Sequence, residues 1–248
     1  MASDSAATFG AGGMFTIGQQ AVRKLVKVNN HILCSGTGAI GVSQMIADTV
    51  ARLWSDNKIK GTPESAMDTI GRAINALVRP YLEAAAWQRN ITGEAAQSLC
   101  KSLVALPVDK KPCLLSFDFN GIPERATAEL PFVAMGSGQM IADPFLAFLR
   151  RVLWKSTEPT LAEGRLAAVW TIDHVRRTHP GGVGGDIQLA SLVPKGAGLP
   201  EIEITPGEGA GSIQEHLVRV TSAEQVLVDE LRGVKPADAP VIPQPQGQ

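Results

Sequence analysis

Gly181-Gly182-Val183-Gly184-Gly185-Asp186-Ile187-Gln188-Leu189-Ala190-Ser191 is the stretch whose reading decides the fold: a glycine cluster runs straight into a segment that alternates apolar and polar side chains. Glycine lacks a Cβ, so backbone there can approach another backbone or a ligand closely. The alternation predicts a half-buried strand over 186–193. Two earlier stretches belong with it. Gly136-Ser137-Gly138 opens a predicted helix, and Met1-Ala2-Ser3-Asp4-Ser5-Ala6-Ala7-Thr8-Phe9-Gly10 opens the chain. By composition alone that opening, through Gly13, reads as a flexible tail.

Working outward, Val22 to Cys34 alternates apolar and charged residues around Asn29-Asn30, which predicts two strands and a tight turn. Gly36, Gly38 and Gly41 punctuate the next segment, and a helix is expected from near Gly41 to Trp54. Thr62-Pro63-Glu64 supplies a cap and a first-turn proline for a second helix, with Pro80 bending it or ending its first part. Strands are expected over 112–119 and 126–134, joined through Asn120-Gly121-Ile122-Pro123. Two amphipathic helices follow, over 139–154 and 161–177, then a strand near Ile202 and a helix from about Ser212 to Leu231. Strands kept apart from helices in this order suggest antiparallel sheets packed face to face with helices outside, an α+β arrangement. Residues 1–232 are expected to form a single domain, and 233–248, with Pro236, Pro240, Pro243 and Pro245, a flexible tail.

A chain of 248 residues with 44% hydrophobic content can bury one substantial core. A net charge of −1 and a pI near 6.4 give no reason to expect nucleic acid or a membrane surface as partner. Cys34, Cys100 and Cys113 lack Cys-x-x-Cys spacing, so neither a disulfide scaffold nor a zinc site is suggested, and a reducing cytoplasm is the expected location. His31, His174, His179 and His216 show no ligand spacing, so no metal is expected. No cofactor is expected either. No apolar run approaches the roughly 20 residues that cross a bilayer.

In their order and intervals, the opening segment, Arg23-Lys24-Leu25, Thr37-Gly38-Ala39-Ile40-Gly41, Gly136-Ser137-Gly138 and the glycine-led strand resemble the proteasome-type β-subunit family of N-terminal-nucleophile hydrolases. The likeness covers about residues 1–195. It implies a four-layer αββα sandwich, two antiparallel sheets flanked by helices. Asp4 matches the family's aspartate near the nucleophile, and Lys24 its buried lysine, with Arg23 as the more exposed neighbour. Gly38 matches the glycine whose N–H forms the oxyanion hole. Ser137 matches the serine that hydrogen-bonds around the terminal amine. In that chemistry a hydroxyl attacks an amide only when a base, the terminal amine or the lysine, takes its proton. An oxyanion-hole N–H then contributes about 3 kcal/mol.

The departures from the family pattern are specific. Pro180 and Val183 stand where an acidic residue and a serine are usual, and Gly12-Gly13-Met14 looks like an insertion between Asp4 and Lys24. The nucleophilic threonine would lie ahead of Asp4. Internal cleavage to expose Thr8, Thr16 or Ser35 would discard Asp4 or Lys24, so Met1 is expected to be an internal methionine of a longer reading frame. Without the resemblance, Asp4 is a turn residue, Lys24 a solvated strand lysine, and Ser137 the N-cap of the helix at Gln139. Cys34 reads as a small buried hydrophobe.

Three functions stay open. One is a threonine-type endopeptidase subunit of a proteasome-like ring, with Asp4, Lys24, Gly38 and Ser137 as its site and the nucleophile outside the chain. The second is a non-catalytic ring subunit of the same fold, and the third a stand-alone amide hydrolase. The resemblance implies self-association into rings and a peptide or unfolded-protein substrate, and is compatible with an ATPase unfoldase as partner.

Overall fold

The computed structural model describes residues 1–11, 15–92, 100–154 and 159–233. The Gly12-Gly13-Met14 insertion and nearly all of the proline-rich tail lie outside the described residues. The fold is α+β. In chain order it comprises β1 (Ala2–Asp4), β2 (Ala6–Ala11), β3 (Phe15–Ala21), β4 (Val26–Lys27), β5 (Leu33–Gly38), α1 (Ile40–Ser55) and α2 (Pro63–Thr92). Then come β6 (Cys100–Val108), β7 (Lys111–Phe117), β8 (Pro123–Arg125) and α3 (Gln139–Leu149), which runs into a π-helical turn at Arg150–Trp154. α4 (Leu161–Thr178), β9 (Ile187–Val193), β10 (Glu201–Ile204) and α5 (Ile213–Leu231) follow.

Among the described residues the strands form three antiparallel sheets, ordered β1-β9-β10, β2-β3 and β4-β5-β6-β7-β8. On one face of the five-stranded sheet, Cys34, Val104, Leu106, Leu115 and Phe117 pack with Val42, Ile46 and Val50 of α1 and Ile70, Ile74 and Val78 of α2. Its other face contributes Leu33 and Ala105, which meet Leu25, Ala190 and Ile202. β9 presents Ile187 and Leu189 in the opposite direction, against Val169 of α4 and Ile213 of α5. The glycine-led strand is therefore covered on both faces. Its polar residues do not face solvent: Gln188 bonds to the 22–25 segment, and Ser191 accepts from Arg165 Nε at 2.9 Å. The caps at Thr160 and Ser212 start their helices as sequence chemistry requires, the first with a full capping box to Glu163.

Local expectations differ from the structure in several places, beginning with the opening, which by composition reads as a tail and carries β1 and β2. β6 was not expected, because a central strand buried from Val104 to Val108 loses the alternation that reveals a half-exposed one. The strand expected over 126–134 shortens to β8: Ala126 makes one further bond to Leu114, and Pro131 lacks the N–H a ladder needs. α2 also continues through Pro80 to a length of 30 residues, with Pro80 exposed. No helix among the described residues is long and apolar enough to cross a membrane.

His216, on the buried side of α5, carries a prediction. Its Nδ1 has no hydrogen-bond partner, and burial first, then Arg219 and to the least extent Arg165, hold its pKa below the usual imidazole value against the opposing pull of Glu215. A histidine kept neutral in the fold contributes stability that is full above its unfolded pKa near 6.5 and is lost as pH falls through the lower folded value. Urea midpoints of wild type should fall from pH 7 to pH 5 more steeply than those of His216→Leu. Parallel curves would remove His216 from this role.

Candidate functional site

Asp4 ends β1 opposite Ile187, and its carboxylate is almost fully buried. Lys24 Nζ lies 2.6 Å from Asp4 Oδ1, while Asp4 Oδ2 accepts the N–H groups of Ala6 at 3.2 Å and Gly184 at 3.1 Å. One carboxylate thus serves an ammonium and two amides from separate parts of the chain, all of them charge-assisted bonds. Lys24 is half-buried, and Arg23 beside it is exposed.

Gln188 holds the lysine segment in place, a role that sequence reasoning missed. Its Oε1 accepts from Lys24 N at 2.9 Å and Leu25 N at 3.2 Å, and its Nε2 donates to Val22 O at 2.6 Å. An amide side chain has both donor and acceptor, so it can bind a short backbone segment much as a neighbouring strand would. The polar position in the alternation of β9 was the available signal. Ser5 is the second residue missed: its Oγ accepts from Asp186 N at 2.7 Å, and a side chain on Gly185, which has a φ of 70°, would meet that Oγ at 2.4 Å. Glycine is required there by both space and conformation.

Ser137 is exposed and its hydroxyl donates to Gly182 O at 2.8 Å, so it ties the α3 entrance to the 182–184 segment that feeds Asp4. It does not cap α3. Gly138 is the N-cap, with no side-chain cap bond. A Cβ on Gly138 would sit 2.6 Å from Val175 Cγ1 and 3.1 Å from Val183 Cγ2. Both neighbours are β-branched and rotate little, so Gly138→Ala should cost about 1–3 kcal/mol by overpacking, read as a lowered denaturation midpoint with unchanged slope. Val183, where a polar residue would be usual, is buried with Ala142 and Val175.

Gly38 closes β5 opposite Cys100 with a φ of 107°, and the chain turns there into α1. Gly136, with a φ of 102°, approaches so closely that an added Cβ would lie 3.5 Å from Thr37 Oγ1, which brings the Ser137 loop against the Gly38 end of β5. Asp4 and Lys24 therefore touch directly, whereas Ser137 and Gly38 join them through Gly182–Gly184 and Gly136. Burial pushes the Cys34 thiol up to about 12, so it is no nucleophile at neutral pH. Among the described residues no group of His, Cys, Asp or Glu could hold a metal ion.

No protein-family profile matches the chain, and no curated protein sequence does. Solved structures match over nearly its whole length. The Anbu complex of Pseudomonas aeruginosa, solved as a helical assembly, superposes with a TM-score of 0.62 over 98% of this chain and 94% of its own, at 17% identity. The chain shares the Anbu fold. Anbu, an ancestral β-subunit, from Yersinia bercovieri gives a TM-score of 0.61 over 96% and 93% at 14% identity, and an Anbu mutant from Hyphomicrobium sp. strain MC1 gives 0.58 over 96% and 93% at 16%. These neighbours correct the expected membership of the proteasome-type β-subunit family: Anbu is proteasome-like and related to that subunit, yet distinct from it.

Proposed function

We propose that the chain is a self-associating subunit of a proteasome-like assembly, with residues 1–232 folded as one four-layer αββα sandwich. The observation that carries this is the match to Anbu structures over almost the full length of both chains. The layer reading is supported by the packing of α1 and α2 on one sheet, of that sheet on β9 and β10, and of α4 and α5 behind β9. Trp87 on α2, Met140 on α3 and Leu231 on α5 are exposed apolar side chains available to an association surface. Light scattering after size exclusion tests it: a mass of many copies is expected, and a monomer at micromolar concentration would sink the proposal.

A second reading is favoured by the Asp4–Lys24 pair. A lysine held by a carboxylate beside a glycine-rich backbone suits amide hydrolysis of N-terminal-nucleophile type: the terminal hydroxyl that the resemblance places ahead of Asp4 attacks the amide carbon, Lys24 takes its proton and returns it to the leaving amine, Asp4 positions Lys24, Gly38 donates to the oxyanion, Ser137 orders the 182–184 loop, and water then releases the acyl group. Peptides or unfolded proteins would be the substrates, with an ATPase unfoldase as the matching partner. Fluorogenic peptide cleavage by wild type that disappears in Lys24→Ala while assembly persists is the expected result. Equal cleavage by both proteins would remove the lysine from the chemistry.

A further inference from the structure

Lys24 stands on a connection that belongs to no sheet. β3 ends at Ala21 and β4 begins at Val26, so residues 22–25 pass from the two-stranded sheet to the five-stranded one without a ladder of their own. Backbone outside a ladder needs its partners from elsewhere. Val22 N–H donates to Ser5 O at 2.7 Å. The other anchors come from the half-buried side chain of Gln188, whose Oε1 accepts from Lys24 N and Leu25 N and whose Nε2 donates to Val22 O. Gln188 belongs to β9, so a side chain of the third sheet fixes the passage between the other two.

The same stretch of chain holds the carboxylate. Gly184 N–H donates to Asp4 Oδ2 and Gly184 O accepts from Ala6 N–H, both at 3.1 Å, and Asp186 N–H donates to Ser5 Oγ at 2.7 Å. Residues 184, 186 and 188 thus each grip one side of the Asp4–Lys24 pair, as the two-residue repeat of an extended chain allows. Aspartate and lysine are both located against one common strand. The location of the Lys24 backbone matters because the ammonium sits at the end of a long flexible stem and goes where its Cα is carried. With Nζ 2.6 Å from Asp4 Oδ1, a fixed Cα leaves few rotamers that keep the contact.

We propose that Gln188 is a positioning residue of the site: it sets the Lys24 backbone so that the ammonium meets Asp4 and faces the reacting groups. This rests on the reading of Lys24 as the group that takes the proton. Gln188 acts through Lys24 and touches no substrate. The position calls for a carboxamide, since one end of that side chain offers an acceptor for two N–H groups and a donor for a carbonyl; a carboxylate lacks the donor and a thioether has no strong acceptor. A space-filling role would instead be met by any side chain of similar volume. Displacement of a reacting group by about 1 Å can lower a rate by about 100-fold, so three bonds to the lysine segment are enough to matter.

The test compares Gln188→Met, which keeps the volume and loses all three bonds, with Gln188→Glu, which keeps the acceptor for Lys24 and Leu25 and loses the donor to Val22 O. Circular dichroism checks folding. Gln188→Leu replaces a Gln188→Met protein that does not fold, and the apolar variant decides alone if Gln188→Glu does not. In fluorogenic peptide cleavage, Gln188→Met should lower kcat about 10-fold or more with KM within about twofold, and Gln188→Glu should recover part of the loss. Acetic anhydride labelling read by mass spectrometry needs no activity. Lys24 should be acylated about 3-fold or more faster in Gln188→Met, with the exposed Lys58 and Lys110 unchanged, because an ammonium released from its carboxylate gives up its proton more readily. An unchanged kcat or unchanged Lys24 labelling in Gln188→Met overturns the inference, as does a folded Gln188→Glu protein as slow as Gln188→Met. A wild type that cleaves no peptide overturns the hydrolase reading instead. The labelling then decides the placement by itself: faster acylation of Lys24 in Gln188→Met supports it, and equal rates overturn it.

Discussion

Replacing Asp4 with alanine is expected to lower stability by about 3 kcal/mol and to release the lysine segment from the 182–184 loop. The carboxylate is the shared acceptor of Lys24 Nζ, Ala6 N–H and Gly184 N–H, so its removal strands a half-buried ammonium and two amides together. Losing one partner of a buried pair costs more than the pair itself contributes, because the remaining charge stays desolvated. Partial exposure of Lys24 keeps the effect below the upper end of the range seen for buried pairs. Asp4→Asn should recover part of the loss, since an amide oxygen still accepts a backbone N–H while its NH₂ faces the lysine unfavourably. Guanidinium unfolding at fixed protein concentration reads both variants, and hydrogen exchange at Ala6 and Gly184 locates the change. An Asp4→Ala protein as stable as wild type, with those two amides still protected, would show that the carboxylate does not organise the site.

Phe117→Ala should cost about 3–5 kcal/mol. Phe117 is 1% exposed at the end of β7, opposite Ser102 and Pro123, and packs in the cluster that joins the five-stranded sheet to α1 and α2. Removing its ring leaves a cavity between backbones already fixed by ladder bonds, so little collapse is available to offset the loss. Phe117→Leu, which keeps much of the volume, should cost less than half as much. The two midpoints measured side by side separate cavity formation from lost shape: equal losses would mean that volume is not the controlling quantity. Since α2 docks on this cluster and the Gly121 turn packs against it, the alanine variant should also loosen that turn, visible as faster exchange of the Ile122 amide.

Much of the architecture was legible in particular residues. Thr62-Pro63 announced a helix start through local chemistry that needs no distant partner, and the apolar spacing of 161–177 and 212–231 announced two further helices, whose caps at Thr160 and Ser212 the structure added. β9 and the turn at Asn120-Gly121 were legible for the same reason. β6 was not, because burial on both faces removes the alternation a sequence can display, and the segment after Arg125 was over-read because alternation without N–H partners does not make a strand. The site divided in the same way. Asp4, Lys24, Gly38 and Ser137 could be picked out by resemblance, while Gln188 and Ser5 looked like ordinary polar positions until the strands carrying them met Val22–Leu25 and Asp186.

The amino-acid order by itself determined where several helices begin and where chain reversals occur, because capping and turn geometry act over a few neighbouring residues. Only the tertiary structure decided that Asp4 and Lys24 meet and that one amide from β9 holds the lysine segment. Those relations join residues up to 166 positions apart, as Val22 and Gln188 are. Contacts at that separation follow from how sheets and helices stack, which no local pattern records.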